Sequence, residues 1–521
     1  MPRMTGFSNT PDRIALASVQ VPAALLLGLP LLGLLLAMTD GGLPDVPALV
    51  AMLPLGPRPS LLLARSVAFS AAVAGFASLT GFLIARGVLG TRRGVAILSL
   101  ALPPLLVVPI SIHGLNWATS ILQLNDALMR HHVPVQINGW TAAWFAEVLA
   151  FLPLAIGIAW TSLALLDRRL LESAMIFRSP RAVAWRIAFP MAGTLLASGM
   201  GLIFLLSVSD YTVPSLFAVQ VYALEIFCAY SASSQPAGAV LTAMPLMLLI
   251  SLAMVMMLRT ACRTRPLLHA TPTGPWPCRA APWHAAGAVA LLLLLLALPL
   301  TFLTYGAGSW PRFAHAVTSA RDEILVSLRV AVCTAVMATL LGAGVAHGMM
   351  RGRALVLWWA AACLWFAMPA PLVGIGILQI ASRAGAWTEP WLPVWACLAR
   401  FLPVAAFICY AVFQRMDPGL LETARIYQRN RLHGMLRITL PLAWRGLFMA
   451  ATTCFALSLG ELGASLLVAP PGQSTLVIRL YNLLHYGASQ EVAALGLALS
   501  LPALGAGFLL IGILRRRPPR T

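Results

Sequence analysis

Lysine is missing from this chain: all 35 basic residues among its 521 are arginine. A P-loop needs a lysine on the β- and γ-phosphates of its nucleotide, so the chain does not supply its own P-loop ATPase. Charge of either sign is scarce, with 10% charged residues against about 25% in a soluble globular protein. Water is therefore not the main solvent of this sequence. The eight cysteines (Cys228, Cys262, Cys278, Cys333, Cys363, Cys397, Cys409 and Cys454) form no CxxC. Most lie in apolar runs, where cysteine is a small hydrophobe, so their spacing gives no reason for a metal or redox role. No HExxH or GxSxG occurs either, which leaves a membrane enzyme without a catalytic constellation. The net charge of +19 raises the idea of nucleic acid. The arginines, however, sit in short runs between apolar stretches rather than on a soluble domain, so no nucleic-acid partner is expected.

What the chain has in abundance is apolar sequence: 60% hydrophobic residues and a mean hydropathy of +0.86. Twelve runs are long enough to cross a bilayer, near 14–38, 60–86, 94–112, 140–164, 191–208 and 236–258, then 285–304, 324–350, 354–380, 391–414, 442–459 and 490–514. A span needs about 20 predominantly apolar residues. The first run is too long for a signal-peptide core and reads as a retained span. Pro103, Pro104 and Pro109 in the third run, and Pro369 and Pro371 in the ninth, predict kinked or broken helices. Placing the N-terminus inside puts Arg92, Arg93, Arg168, Arg169, Arg263, Arg351, Arg431 and Arg515 to Arg517 on the cytoplasmic side, as the positive-inside rule asks. Both termini are then cytoplasmic.

The chain is an internal repeat. Residues 170–192, LLESAMIFRSPRAVAWRIAFPMA, correspond to 420–443, LLETARIYQRNRLHGMLRITLPLA. Phe151-Leu152-Pro153 matches Phe401-Leu402-Pro403 at an offset of 250, the same as Glu172 to Glu422. FLLSVSDYTVPSLF (204–217) aligns with FALSLGELGASLLV (455–468), which superposes Asp210 on Glu461. In the third and ninth runs ALPPLLVVPISI aligns with AMPAPLVGIGIL. Hydrophobicity alone does not match charged and proline positions. The expected architecture is all-α and polytopic, about twelve transmembrane helices in two tandem six-helix domains. Residues 1–258 and 285–521 are the two domains, joined by a Pro-, Thr- and Arg-rich cytoplasmic linker over 259–284. Six crossings per half give both copies one orientation, related by a pseudo-two-fold axis along the membrane normal.

The repeated loop follows the fourth span of each half and is about 25 residues long, where a simple connection needs only a few. Its acidic start complements a helix dipole and its closing proline suits a first helical turn. A solvated arginine loop accounts for the arginines, but not for the same Glu-x-Ala start and Pro end in both halves. Two such knobs suit a two-fold cytoplasmic partner.

The loop resembles the EAA motif of ATP-binding-cassette importer permeases. Glu422, Ala424, Ile438, Leu440 and Pro441 fit its spacing in the second copy, and Glu172, Ala174, Ile187 and Pro190 fit with one residue missing in the first. Ser173 and Thr423 replace the first alanine; Arg178 or its neighbour, and Gln428, stand where glycine is usual. Span count and arrangement extend the resemblance over nearly the whole chain, most like the fused ferric-iron permeases, with thiamine and phosphonate permeases as relatives. It implies an inner-membrane permease whose two loops seat in grooves on two cytoplasmic ATPase subunits, while a periplasmic binding protein delivers the solute. ATP and Mg would bind in the partner and no cofactor in this chain. Ferric iron, thiamine, phosphonates and polyamines all remain open as cargo.

Ionisable residues at membrane depth are functional candidates. Asp210 and Glu461, at the outer ends of the fifth spans, would line the mouth of a translocation path or simply end a helix. Tyr211, Tyr222, Glu225, Arg479 and Tyr481 share those outer segments. Arg400 lies well inside the tenth run and calls for a partner, with Glu147 or Asp210 as candidates. Arg65 and Arg329 are expected to snorkel at outer span ends, and His113, His131 and His132 to be loop histidines. The competing reading is a twelve-helix secondary transporter of the major facilitator type. Its loop after the second span combines Gly, Asp and Arg; GFLIARGVLGTRRG (81–94) lacks the Asp.

Overall fold

The computed structural model describes residues 10–40, 56–89, 91–133, 135–166, 168–233, 236–263, 282–350, 358, 365, 368–417, 419, 437, 440–487 and 490–515. Every regular element among them is helical. An apolar chain in lipid must satisfy its backbone within each segment, and a helix does so without an edge. Ten helices are long and apolar enough to cross a membrane by length and composition, and one further bent pair passes the same test. They correspond to eleven of the twelve expected runs; the ninth falls partly outside the described residues, and its described helix, Ala370–Arg383, is shorter than a span. The protein is thus an all-α, multi-pass membrane protein.

Contacts divide the chain into two compact units that do not follow the two sequence halves. One comprises Asp45–Arg321 and Arg479–Leu504; the other comprises Met1–Pro44, Asp322–Ile478 and Gly505–Thr521. The exchanged pieces include the first helix of each half. Helix α1 (Thr10–Asp40) begins the first half, yet it packs within the unit built from the second. The helix that opens the second half belongs likewise to the other unit.

In the unit formed mainly by the first half, α2 (Pro57–Leu89) is followed by α3 (Arg92–Val107), α4 (Ile110–Arg130) and α5 (Gly139–Ala164). After them come α6 (Arg168–Phe177), α7 (Pro180–Val183), a π-helical turn at Ala184–Ala188, and α8 (Phe189–Val208). The half closes with α9 (Thr212–Leu216), α10 (Tyr222–Ser233) and α11 (Pro236–Arg263). Helix α2 packs along α5 and α8, α5 against α4, and α8 against α11. Helix α12 (Pro282–Ala307), the first of the second half, lies in this unit against α2, α3 and α4. The short α13 (Trp310–Ser319) follows it. Helices α11 and α12 take up both ends of the expected linker: Arg259 to Arg263 and Pro282 to His284 are helical, and residues 264–281 lie outside the described set. Arginine stems let a helix run on past its apolar window while the charge stays wet.

The other unit repeats the plan with α14 (Arg321–Met349), α15 (Ala370–Arg383), α16 (Leu392–Gln414), α17 (Leu440–Leu459), α18 (Ser465–Val468), α19 (Leu476–Leu484) and α20 (Gln490–Arg515). The contact boundaries cut α19 and α20, so their latter and earlier parts respectively belong to the first unit described. Here α1 packs on α15 and α16, and α16 on α17.

The third run is not one straight helix. Helices α3 and α4 meet at 94°, with Val108 extended and Pro109 (φ −59°, ψ 147°) opening α4. Pro109 has no N–H, so the carbonyl of Leu105, four residues back, loses its helical partner. His113 Nε2 fills that role at 2.9 Å, from a side chain only 6% exposed. His113 is therefore a buried helix residue rather than a loop histidine, whereas His131 and His132 are exposed at the end of α4.

Pro369 (φ −58°, ψ 145°) opens α15 as Pro109 opens α4. That pairing corrects the register of the sequence comparison, which set Pro103 opposite Pro369. Pro103 is inside α3, so the helix-opening prolines and not the first prolines are equivalent. Close approaches agree with the new register. A Cβ on Gly114 would lie 2.5 Å from Val213 Cγ2, and one on Gly374 would lie 2.9 Å from the Ala464 carbonyl oxygen. Val213 and Ala464 already matched in the sequence alignment. Only glycine lets these helices come so near. His113 then has Val373 as its counterpart, so the second half lacks this histidine.

Candidate functional site

The first copy of the arginine-rich loop is a folded helical knob. In α6, Leu171 is buried, Ala174 and Met175 are half-buried, and Glu172 and Ser173 are exposed. Leu171, Val183, Ala188 and Ala192 join Phe82, Ala85, Leu89, Ala159, Leu163 and Leu166 in one apolar cluster, with Ala174 and Ile187 packed against it. Ala174 and Ile187 therefore anchor the knob to α2, α5 and α8, while Glu172 and Pro190 face outward. Arg86 adds a cation–π contact, its guanidinium 5.6 Å from the Trp185 ring centroid.

Glycine is not needed at the turn. Helix α6 ends at Phe177, and Ser179 (φ −60°, ψ 150°) caps α7, its Oγ accepting the Ala182 N–H at 3.4 Å with Pro180 at the first helical position. A Ser-Pro start keeps φ negative and does the work that an αL residue does elsewhere. Before Pro190 the ladder widens: the Phe189 N–H reaches the Ala184 carbonyl, five residues back, in the π turn. Pro190 itself lacks an N–H, so a shift of register here leaves no missing donor.

The tip of this knob is apolar. Ile176 is 77% exposed and Phe177 84%, with Leu170 at 43% behind them. Large exposed apolar groups framed by Arg169, Arg178 and Arg181 mark an interaction surface more readily than a solvated loop. In the second copy Glu422, Ala424 and Ile438 lie outside the described residues, while Leu440 and Pro441 open α17 and are exposed.

At the far ends of α8 and α17 the two aligned acids do the same local work. Asp210 Oδ1 accepts the Thr212 N–H at 2.9 Å. Glu461 Oε1 accepts the Ala464 N–H at 2.9 Å. Each thus ties down the turn that leads into the following short helix, α9 or α18. Their surroundings differ. Glu147 on α5 is 1% exposed and accepts Ser207 Oγ–H at 2.5 Å. In the second half Cys397 stands at the position of Glu147, and Arg400 stands where the first half has Ala150. Arg400 pairs with Glu461 through Nη1 and Oε2. Glu461 is thus an acid partner of Arg400 outside the two expected ones. Glu461 lies one short step beyond the end of α17, where a turn brings it back onto α16. Tyr211 is 3% exposed and stacks on Phe227, with centroids 6.1 Å apart.

Arg329 is held by acceptors of the protein. It is half-buried, and Nη2 donates to the Pro390 carbonyl at 3.3 Å and to Gln473 Oε1 at 3.0 Å. Arg65 is exposed. Arg479 pairs with Glu491 at 2.8 Å, and Tyr481 Oη shares a hydrogen bond with Ser215 Oγ at 2.9 Å.

Sequence reasoning missed one duplicated bond. Ser66 Oγ on α2 accepts the Tyr222 N–H at 2.8 Å, and Ser327 Oγ on α14 accepts the Leu476 N–H, also at 2.8 Å. Each serine fixes the start of the helix that follows the turn. The signal was a buried serine at the same depth of the second span in each half, which resembles any other small polar residue in a helix.

Among the described residues no group of three His, Cys, Asp or Glu could hold a metal. A cavity of about 200 Å³ between α4, α5 and α12 is lined by Trp117, Phe145, Leu298, Phe302 and other apolar groups, with Ser120 the polar exception. It suits hydrocarbon, not a charged solute.

Comparison with known proteins adds to this geometry. Residues 335–520 match the family described as binding-protein-dependent transport system inner membrane component. The putative 2-aminoethylphosphonate transport system permease protein PhnV of Salmonella typhimurium is 28% identical over 187 residues, 35% of this chain and 70% of that protein. The spermidine/putrescine transport system permease protein PotC of Escherichia coli is 26% identical over 180 residues, 34% of this chain and 68% of that protein. These matches support a permease of a binding-protein-dependent transport system and do not favour a secondary transporter of the major facilitator type.

Proposed function

We propose that this chain is the fused permease subunit of an ATP-driven importer, both halves of the translocation path in one polypeptide. The observation that carries the reading is the anchored knob at α6 with an apolar tip of Ile176 and Phe177. The size of the matches supports the fusion: each relative aligns over most of its own length with only about a third of this chain. Both termini and both knobs lie on the cytoplasmic side, where the arginines gather. The knobs, through Glu172 and Glu422 and their neighbours, seat on two ATPase subunits that bind ATP and Mg. A binding protein presents the solute at the opposite side. Asp210 and Glu461 act on the path by holding the turns that enter α9 and α18, with Tyr211 and Arg400 as their packing partners. The cargo is ferric iron or a related small solute such as thiamine, a phosphonate or a polyamine; the cargoes named for the two relatives support the last two.

Purification of the chain from its native membrane tests the reading. An ATPase dimer is expected to copurify, to be lost with Phe177→Asp or Glu422→Lys, and to persist with the knob-distal Arg65→Gln. Vectorial transport by this chain alone in liposomes would overturn it.

A further inference from the structure

We infer that α13 lies flat in the membrane interface and binds the lipid headgroup layer as an aromatic float beside α12. The helix has ten residues, about 15 Å at 1.5 Å per residue. Only two residues separate it from the end of α12 at Ala307, and the chain enters the next membrane-length helix at Arg321. Gly308 (φ 73°) and Ser309 make the turn out of α12. With so short a tether α13 cannot leave the level at which α12 ends.

Its sequence, WPRFAHAVTS, places three kinds of residue on three faces. Ala316, at 5% exposure, and Ala320, just beyond the helix, are buried against protein. Arg312, His315 and Ser319 form an exposed polar face, and Arg312 Nη1 donates to Gln490 Oε1 at 3.0 Å. Trp310, Phe313, Ala314 and Val317 fall at i, i+3, i+4 and i+7, the spacing of one apolar stripe. Trp310 is 76% exposed, Phe313 is half-buried, and their rings stack with centroids 5.5 Å apart. Tyr305, in the last turn of α12, is 87% exposed.

The chemistry selects the occupant. Tryptophan and tyrosine concentrate where hydrocarbon meets headgroups, because each ring has an apolar body and a polar N–H or O–H. An amphipathic helix with a basic residue on its polar face lies in that plane. A protein partner would need its own complement to a stripe already half covered by this chain, whereas lipid is continuous with the exposed side of α12.

The intact chain, with whatever subunits copurify, is reconstituted in vesicles of phosphatidylethanolamine and phosphatidylglycerol that carry a diazirine just below the headgroup. After photolysis, mass spectrometry maps the lipid adducts. Adducts are expected on Tyr305, Trp310 or Phe313 and not on Arg312 or His315, and Trp310→Glu should lower their yield severalfold relative to adducts on Leu79 or Leu83 of α2. Reference adducts on α2 without any on 305–317 would overturn the inference, as would equal labelling of Trp310 and His315. An unchanged adduct yield in Trp310→Glu counts against it too. The readout needs neither ATPase nor transport, so it stands apart from the proposed importer role.

Discussion

The ends of α8 and α17 are the same structure solved with different charges. Both use an acid to hold the turn into the next short helix, Asp210 before α9 and Glu461 before α18. Behind the turn, the first half buries a second carboxylate, Glu147, on a serine, while the second half supplies a cation, Arg400. The job of holding the turn belongs to the backbone and tolerates either acid. The charge behind it is free to change, an acid at Glu147 in one half and, three positions further along the equivalent helix, a cation at Arg400 in the other. Divergence after duplication is therefore read most clearly in the partners of a shared acid rather than in the acid itself.

Arg400→Ala tests that contrast with the largest expected effect. Removing one partner of a fully buried pair leaves an uncompensated charge and costs about 3–5 kcal/mol; Arg400 is 31% exposed, so the loss here is expected below that range. Glu461 is 5% exposed and would be that charge. Thermal unfolding in detergent should fall sharply for Arg400→Ala, and the double variant Arg400→Met with Glu461→Gln should regain most of the loss. A neutral Arg400→Ala would mean that Glu461 is reached by water, and the contrast between halves would collapse.

The next effect compares two glycines. In Gly374→Ala the new methyl would meet the Ala464 carbonyl oxygen at 2.9 Å, which is backbone and cannot swing aside. Overpacking of this kind costs about 1–3 kcal/mol. In Gly114→Ala the methyl would meet Val213 Cγ2 at 2.5 Å, the end of a side chain rather than backbone, which can yield only by a shift of the whole Val213 side chain. Unfolding midpoints should therefore drop more for Gly374→Ala than for Gly114→Ala, and the reverse order would show that α18 is more yielding than α9.

His113→Ala is expected to cost about 1–3 kcal/mol, the penalty for a buried acceptor left without a donor, because the Leu105 carbonyl has already lost its helical donor to Pro109. His113→Gln should recover part of it, as its amide can donate to the same oxygen. The matching change in the other half, Val373→Ala, removes only apolar contacts. If His113→Gln fares no better than His113→Ala, the ring contributes through packing and not through its N–H.

How much of this was readable beforehand follows the range of the interactions. Ten spans were legible because lipid forces long apolar runs, and the knob at 170–192 was legible because Glu172 and Pro190 recur in the second half. The break at Val108 was blurred by three prolines in one run; only backbone geometry separates Pro109, which opens a helix, from Pro103, which sits inside one. The partner of Arg400 was missed because a turn after α17 redirects Glu461, and that redirection depends on a bond to Ala464. The exchange of α1 and α12 between units left no mark in the sequence, since an apolar helix offers the same stripe to either neighbour.

The smallest expected effect bears on what the halves still share. Ser66 and Ser327 each accept one backbone N–H, from Tyr222 and Leu476, at the same length. Each serine is nearly fully buried, so water cannot replace it when the hydroxyl is removed. Ser66→Ala and Ser327→Ala should each cost about 1–2 kcal/mol, the range for a buried donor left unpaired, and the two losses should agree and add. Additivity is expected because the bonds share no partner and lie in different packed units. Unequal losses would show that the segments after α9 and α18 have diverged as far as the charges have. Equal losses would place the divergence in the side chains behind Asp210 and Glu461, with the backbone of the two outer turns still held in common.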